Sequence, residues 1–143
     1  MKSSAISKTI EIISAIFILL FVYTAASKLM THQAFLGSLK SSPLLNFAGP
    51  FLSWTVPAVE ILVAAMLFTP NCRKAGLFAT FYLMVLFTIY IGYMLIAVSH
   101  LPCSCGGIIS KLSWKQHLYL NAFFVVLAAT GIYLNKRSKF LLQ

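Results

Sequence analysis

Aspartate is absent from this chain, and glutamate occurs only as Glu11 and Glu60. Charged residues make up 9% of the 143 positions, against about 25% in a soluble domain of this size. So few charges cannot cover the surface of a soluble fold. With 60% hydrophobic residues, the chain reads as an integral membrane protein with membrane lipid as its main surroundings. A phosphate-binding Walker loop, a dinucleotide glycine fingerprint, an HExxH zinc motif and a G-x-S-x-G elbow are all missing. Histidine is scarce, and His32, His100 and His117 fall near the ends of apolar runs. A b-type haem held between helices is therefore not expected. Met66, Met84 and Met94 make no ladder for copper, and Gly76 and Gly92 belong to no GxxxG motif. The net charge of +9 does not mark a nucleic-acid partner. Its lysines and arginines lie in short groups beside apolar runs, and no basic helix carries interleaved aromatics.

What is present is four apolar runs, over about 9–29, 51–69, 76–98 and 117–135. Each approaches the ~20 residues that cross a ~30 Å hydrocarbon layer. Lipid offers no partners to backbone amides, so the runs should be helices. Lys2 and Lys8 before the first run, and "TAAS" near its end, resemble a signal peptide. Glu11 interrupts that run and the run is long for a signal, so it is expected to stay as the first transmembrane helix.

With four spans, Lys2, Lys8, Arg73, Lys74, Lys136, Arg137 and Lys139 share one side, and Lys28, Lys40, Lys111 and Lys115 the other. The positive-inside tendency puts both termini in the cytoplasm. The expectation is an all-α, single-domain fold over 1–143: a four-helix transmembrane bundle, up-down-up-down, in a bacterial inner membrane. Short interfacial helices are expected in the outer loops. "THQAFLGSLKSSPLL" offers Thr31 as an N-cap, then Phe35, Leu36 and Leu39 at helical spacing. "IISKLSWKQ" mixes Ile108, Leu112 and Lys115 around Trp114 in the same way. Trp54 and Trp114 suit the headgroup level.

The outer loop "HLPCSCGG" holds Cys103 and Cys105, one residue apart. An ordinary disulfide sets its alpha carbons about 5.5–6 Å apart. Reaching that across one residue needs a bent backbone, and strain makes a disulfide more oxidising. Gly106 and Gly107 supply conformational freedom after the pair, and Pro102 stiffens the approach. In an oxidising periplasm, redox exchange is the leading chemistry, with His100 available to stabilise a thiolate. The rival readings are a turn stapled by two cysteines and a soft-metal site of His100, Cys103 and Cys105, with His117 as a fourth ligand. Cys72 in "NCRK" falls on the cytoplasmic side as an inert reduced thiol.

Glu60 lies well inside the second run, "WTVPAVEILVAAMLF". A charge at that depth costs at least ~2.5–3.5 kcal/mol unless paired. Lys28, near the outer end of the first run, is the partner in reach. The pair either fixes helix register or forms, with Tyr90, a proton or quinone-headgroup site; Tyr23, Tyr93 and Thr88 are further polar candidates for that interior.

The segments "AASKLMTHQAF", "VPAVEILVAAMLF" and "CSCGG…SWKQHLYLNAFF" resemble the MauE/DoxX group of small four-helix membrane proteins. The Cys-x-Cys-Gly loop points to the MauE-like branch. That resemblance implies a redox-associated role linked to methylamine utilisation, where MauE helps mature a disulfide-rich dehydrogenase subunit. Cys103 and Cys105 match the outward cysteines, and Glu60 the intramembrane acid. The chain departs from the quinone-linked DsbB and vitamin K reductase pattern, which uses Cys-x-x-Cys and a second cysteine pair. A separate periplasmic thiol or disulfide protein is therefore expected as partner. The expected function is thiol–disulfide exchange by Cys103 and Cys105. The alternative is a non-catalytic subunit or maturation chaperone for a secreted partner, with its cysteines empty or holding metal.

Overall fold

A computed structural model describes residues 2–97 and 113–140. Among them are five α-helices and no strand. They are α1 (Lys2–Met30), α2 (His32–Ser41), α3 (Gly49–Phe68), α4 (Arg73–Ala97) and α5 (Trp114–Phe140), with a 3-10 turn at Asn46–Ala48 before α3. Four stretches are long and apolar enough to cross a membrane: Ser4–Met30, Asn46–Phe68, Arg73–Ala97 and Lys115–Ser138. The shortest has 23 residues, about 35 Å of helix at 1.5 Å per residue. These four match the four expected runs. Each helix except α3 runs several residues past its apolar run at one end or both, because water at a bundle end supports a polar turn as well as lipid supports an apolar one.

Prolines and local hydrogen bonds set the breaks. Pro43 comes just after the end of α2, Pro50 sits in the first turn of α3, and Pro70 lies just beyond its last. Pro57 lies inside α3, where it leaves one carbonyl without its usual amide partner. The expected cap at Thr31 does not form. The Thr31 hydroxyl donates back to the Ser27 carbonyl at 2.8 Å. Two backbone bonds cross the corner, from Thr31 N to Ser27 O and from Phe35 N to Thr31 O, both at 3.0 Å. Helix α2 thus follows α1 through a hydrogen-bonded corner, without a side-chain cap. It buries Leu39 and half-buries Phe35 and Leu36, as their spacing requires.

Phe17, Phe21, Leu67, Leu77 and Ala128 are at most 1% exposed and form the centre of the core. The Phe17 ring lies 6.0 Å from Phe21 and 5.7 Å from Phe124. Contacts mark two ends of the bundle. At one end, Gly131 approaches Ile13 and Leu77, Gly76 approaches Leu67, and Arg73 lies 4.0 Å from Glu11. At the other end, Lys28 meets Glu60, His32 meets Ser53, and the stem of Lys40 packs on Gly49.

Candidate functional site

Lys28 occupies the last turn of α1, where a cation also suits the negative end of the helix dipole. Its ammonium donates to Glu60 Oε1 at 2.7 Å. Glu60 is 1% exposed and the Lys28 side chain 12%, so the pair is shut away from bulk solvent. The ammonium also lies 5.8 Å from the ring centres of Phe35 on α2 and Phe87 on α4. Two aromatic faces thus share the charge that the carboxylate does not hold. The other carboxylate oxygen, Oε2, is buried without a hydrogen-bond partner among the described residues. Thr24, one turn before Lys28, is a weak side-chain hydrogen-bond neighbour of the carboxylate, and its hydroxyl also lies 3.3 Å from the Phe21 carbonyl. The arrangement ties α1 to α3 and leaves one acceptor atom free.

The other expected site residues are spread over α4, α5 and the segment between them. Tyr90 is half-buried on α4, three residues beyond Phe87. His117 lies in the first turns of α5 within electrostatic range of the Lys28 ammonium. Cys103, Cys105 and His100 lie outside the described residues, as do Ile108 and Leu112 of the second expected interfacial helix. The segment that carries them leaves α4 at Ala97 and joins α5 at Trp114. Among the described residues, no group of three or more His, Cys, Asp or Glu comes together as a metal site. Cys72 is an exposed free thiol beside Arg73, at the Glu11 end.

Two features were not expected from sequence. His32 Nε2 lies 3.1 Å from Ser53 Oγ, and its ring lies against Trp54 with centroids 4.5 Å apart and planes tilted by 36°. No periodicity brings residues 21 apart in sequence together; the contact exists because α2 folds back on α3. The other is a capping box at the start of α5. Ser113 N donates to Gln116 Oε1 at 2.9 Å, and Gln116 N donates to Ser113 Oγ at 3.3 Å. The Ser-x-x-Gln spacing was its signal.

A protein-family model, methylamine utilisation protein MauE, matches residues 6–134. The chain belongs to the MauE family. No curated protein and no solved structure matches it. In this MauE-family membrane protein the match runs from α1 into α5. It therefore spans both partners of the Lys28–Glu60 pair and the segment that holds Cys103 and Cys105.

Proposed function

We propose that this MauE-family membrane protein supports thiol–disulfide exchange on the outer face of a bacterial inner membrane, with Cys103 and Cys105 as the reactive pair. The observation that supports this is where the polar groups gather. Lys28, Glu60, His32 and Ser53 meet at one end of the bundle, and His117 lies within electrostatic range of Lys28. The cysteine segment joins α5 three residues before His117. Both termini are proposed to be cytoplasmic.

In the exchange, a thiolate of a secreted partner attacks one sulfur of the Cys103–Cys105 disulfide. The mixed disulfide is then resolved by the partner's second thiol. The partner loses two electrons and two protons and becomes a disulfide, and Cys103 and Cys105 become thiols. A membrane-soluble quinone is the proposed oxidant that restores them. Lys28, Glu60 and Tyr90 are the residues proposed for its headgroup. Support for that placement is the acceptor capacity left on Glu60 Oε2, which suits a hydroxyl of the reduced quinol, while the Lys28 ammonium is the donor for a carbonyl of the oxidised form. The family's description suggests that the partner belongs to methylamine utilisation.

The test is labelling of intact cells with a membrane-impermeant maleimide, with and without prior reduction, read for each cysteine. Labelling of Cys103 and Cys105 only after reduction supports the proposal. Labelling without reduction removes the resting disulfide, and labelling of Cys72 from outside inverts the orientation. Cys103→Ser or Cys105→Ser should abolish oxidation of a partner dithiol. Retained oxidation would leave a binding or chaperone role in its place.

A further inference from the structure

Glu60 is the carboxyl side chain of its end of the bundle. The chain has no aspartate, and its other glutamate, Glu11, lies at the opposite end beside Arg73. Among the described residues, the other titratable side chains toward Glu60 are His32 and Lys40 on α2, Tyr90 and Tyr93 on α4, and Lys115 and His117 on α5. Each is a base or a phenol. A carboxylate has about four lone-pair sites. The Lys28 ammonium fills one of them, on Oε1 at 2.7 Å, and Thr24 adds a weak contact. Oε2 is buried with no hydrogen-bond partner among the described residues. A buried ion pair kept only as a tie needs further donors on its remaining lone pairs, and this one lacks them.

Lys28 is the member of the pair that reaches the surface. Its side chain is 12% exposed, against 1% for Glu60. It stands in the last turn of α1, two residues from the exposed Met30. Its stem lets the ammonium extend to the headgroups. On the inner side, the ammonium lies 5.8 Å from the ring centres of Phe35 and Phe87. These faces can hold the cation when the carboxyl carries no charge. An ammonium can also give up a proton, which a guanidinium in its place could not. The site is thus complete in two states. In the observed one, Glu60 is ionised and bonded to Lys28. In the other, Glu60 is protonated and the Lys28 cation rests against the two rings.

We propose that Lys28 carries protons from the membrane surface to Glu60, and that the buried carboxyl stores one. Nζ passes a proton along the 2.7 Å hydrogen bond to Oε1. An N–H bond breaks and an O–H bond forms, so the pair becomes an amine and a carboxylic acid. The amine then takes a proton from surface water and is an ammonium again. The net change is one proton moved from water to Glu60. The use of that proton rests on the quinone reading above. As Cys103 and Cys105 form their disulfide, they give two electrons to the quinone and two protons to outer water. The quinone takes two protons from Glu60, one after the other, and leaves as quinol. Storage at Glu60 does not depend on that use.

The test uses the full chain in phosphatidylcholine vesicles, read by infrared difference spectroscopy after rapid acidification. With two side-chain acids in the sequence, a carboxyl band can be assigned. The parent should gain a protonated-carboxyl band that Glu11→Gln keeps and Glu60→Gln lacks. Lys28→Arg retains the positive charge beside Glu60 but cannot release a proton. A pair that only ties helices is indifferent to that change. Under the proposal, the Glu60 band rises about a hundredfold more slowly in Lys28→Arg, and quinone reduction by a dithiol slows by a similar factor. A parent without the Glu60 band overturns the proposal, as does a band that rises equally fast in Lys28→Arg. If Lys28→Arg does not fold, the parent is treated with a water-soluble acylating ester, which reacts with neutral amines, and modified lysines are identified by mass spectrometry. Lys28 should be acylated along with the exposed Lys40, and acylation of Lys40 without Lys28 overturns the carrier. A parent that shows the Lys28-dependent band but reduces no quinone refutes the exchange reading and leaves the proton site standing.

Discussion

Replacing Lys28 with methionine should destabilise the bundle more than replacing Glu60 with glutamine, and the two changes together should largely cancel. At the observed 2.7 Å and an effective dielectric of ~20, the charges attract by about 6 kcal/mol. Desolvation of a buried ion offsets several kcal/mol of that, so the net worth of the pair is small. Removing one partner is another matter, because the desolvation of the survivor is then uncompensated. Glu60 sits mid-helix at 1% exposure with no route to water. Its exposure to this penalty sets the cost of Lys28→Met at about 3–5 kcal/mol. Lys28 has more recourse. It is 12% exposed, it stands two residues from Met30 at 87% exposure, and it keeps the faces of Phe35 and Phe87. Its long stem also lets the ammonium extend to the headgroups. Glu60→Gln should therefore cost about 1.5–3 kcal/mol, the loss of one charged hydrogen bond. The double variant should come within about 1–2 kcal/mol of the parent, a coupling of ~2 kcal/mol or more. Reversible unfolding in mixed micelles, followed by far-UV circular dichroism against the detergent fraction, measures all four proteins. A double variant that costs the sum of the singles refutes the coupling. Equal costs for the two singles refute the asymmetry. Partner oxidation by the double variant separates two roles: unchanged rates leave the pair as a helix tie, and lost rates give it a part in the chemistry.

The glycines of α4 should respond oppositely to alanine. At Gly76 a Cβ would stand 3.0 Å from the Leu67 backbone nitrogen, so Gly76→Ala should cost about 1–3 kcal/mol in the same unfolding assay. At Gly92 nothing lies within 4 Å, and Gly92→Ala should gain about 0.5–1 kcal/mol. Ser113→Ala breaks the capping box and should cost ~1 kcal/mol, read as faster hydrogen exchange at the first amides of α5. Cys72→Ser, at an exposed position away from Lys28 and Glu60, should leave both stability and partner oxidation unchanged.

The four spans were legible because a lipid solvent makes one demand, an unbroken run of apolar side chains about 20 residues long. Their ends were not. Lys2, Lys8 and Glu11 lie inside α1, although polarity there argues against a span. A helix leaving the bilayer continues as long as its backbone bonds remain favourable, and no sequence signal stops it. Lys28–Glu60 was legible for the same reason as the spans, since an intramembrane acid demands a partner and few cations lie near. The missing Thr31 cap has a different origin. A capping residue is recognised by the residues on its C-terminal side, but the outcome depends on the N-terminal side, and here α1 continues its hydrogen bonds into the corner. The contact of His32 with Ser53 and Trp54 depends on the angle of that corner, which no local pattern encodes.

The two acids of the chain show how a sparse charge set can specify a bundle that apolar packing leaves ambiguous. Apolar faces in lipid discriminate weakly between one register and the next, because a slid helix still meets apolar neighbours. Both acids engage across helices, with opposite consequences. Glu11 is 58% exposed and lies 4.0 Å from Arg73, so water solvates each charge and the pair contributes at most about 1 kcal/mol. Glu60 and Lys28 have no such solvent. A slide of α3 by one turn, about 5.4 Å, would separate them and leave a carboxylate unpaired inside the bundle, at a cost of about 3–5 kcal/mol. The buried pair therefore acts less by stabilising the native register than by penalising its neighbours. Because the α2 corner comes almost directly after Lys28, that register also determines where His32 meets Ser53 and Trp54.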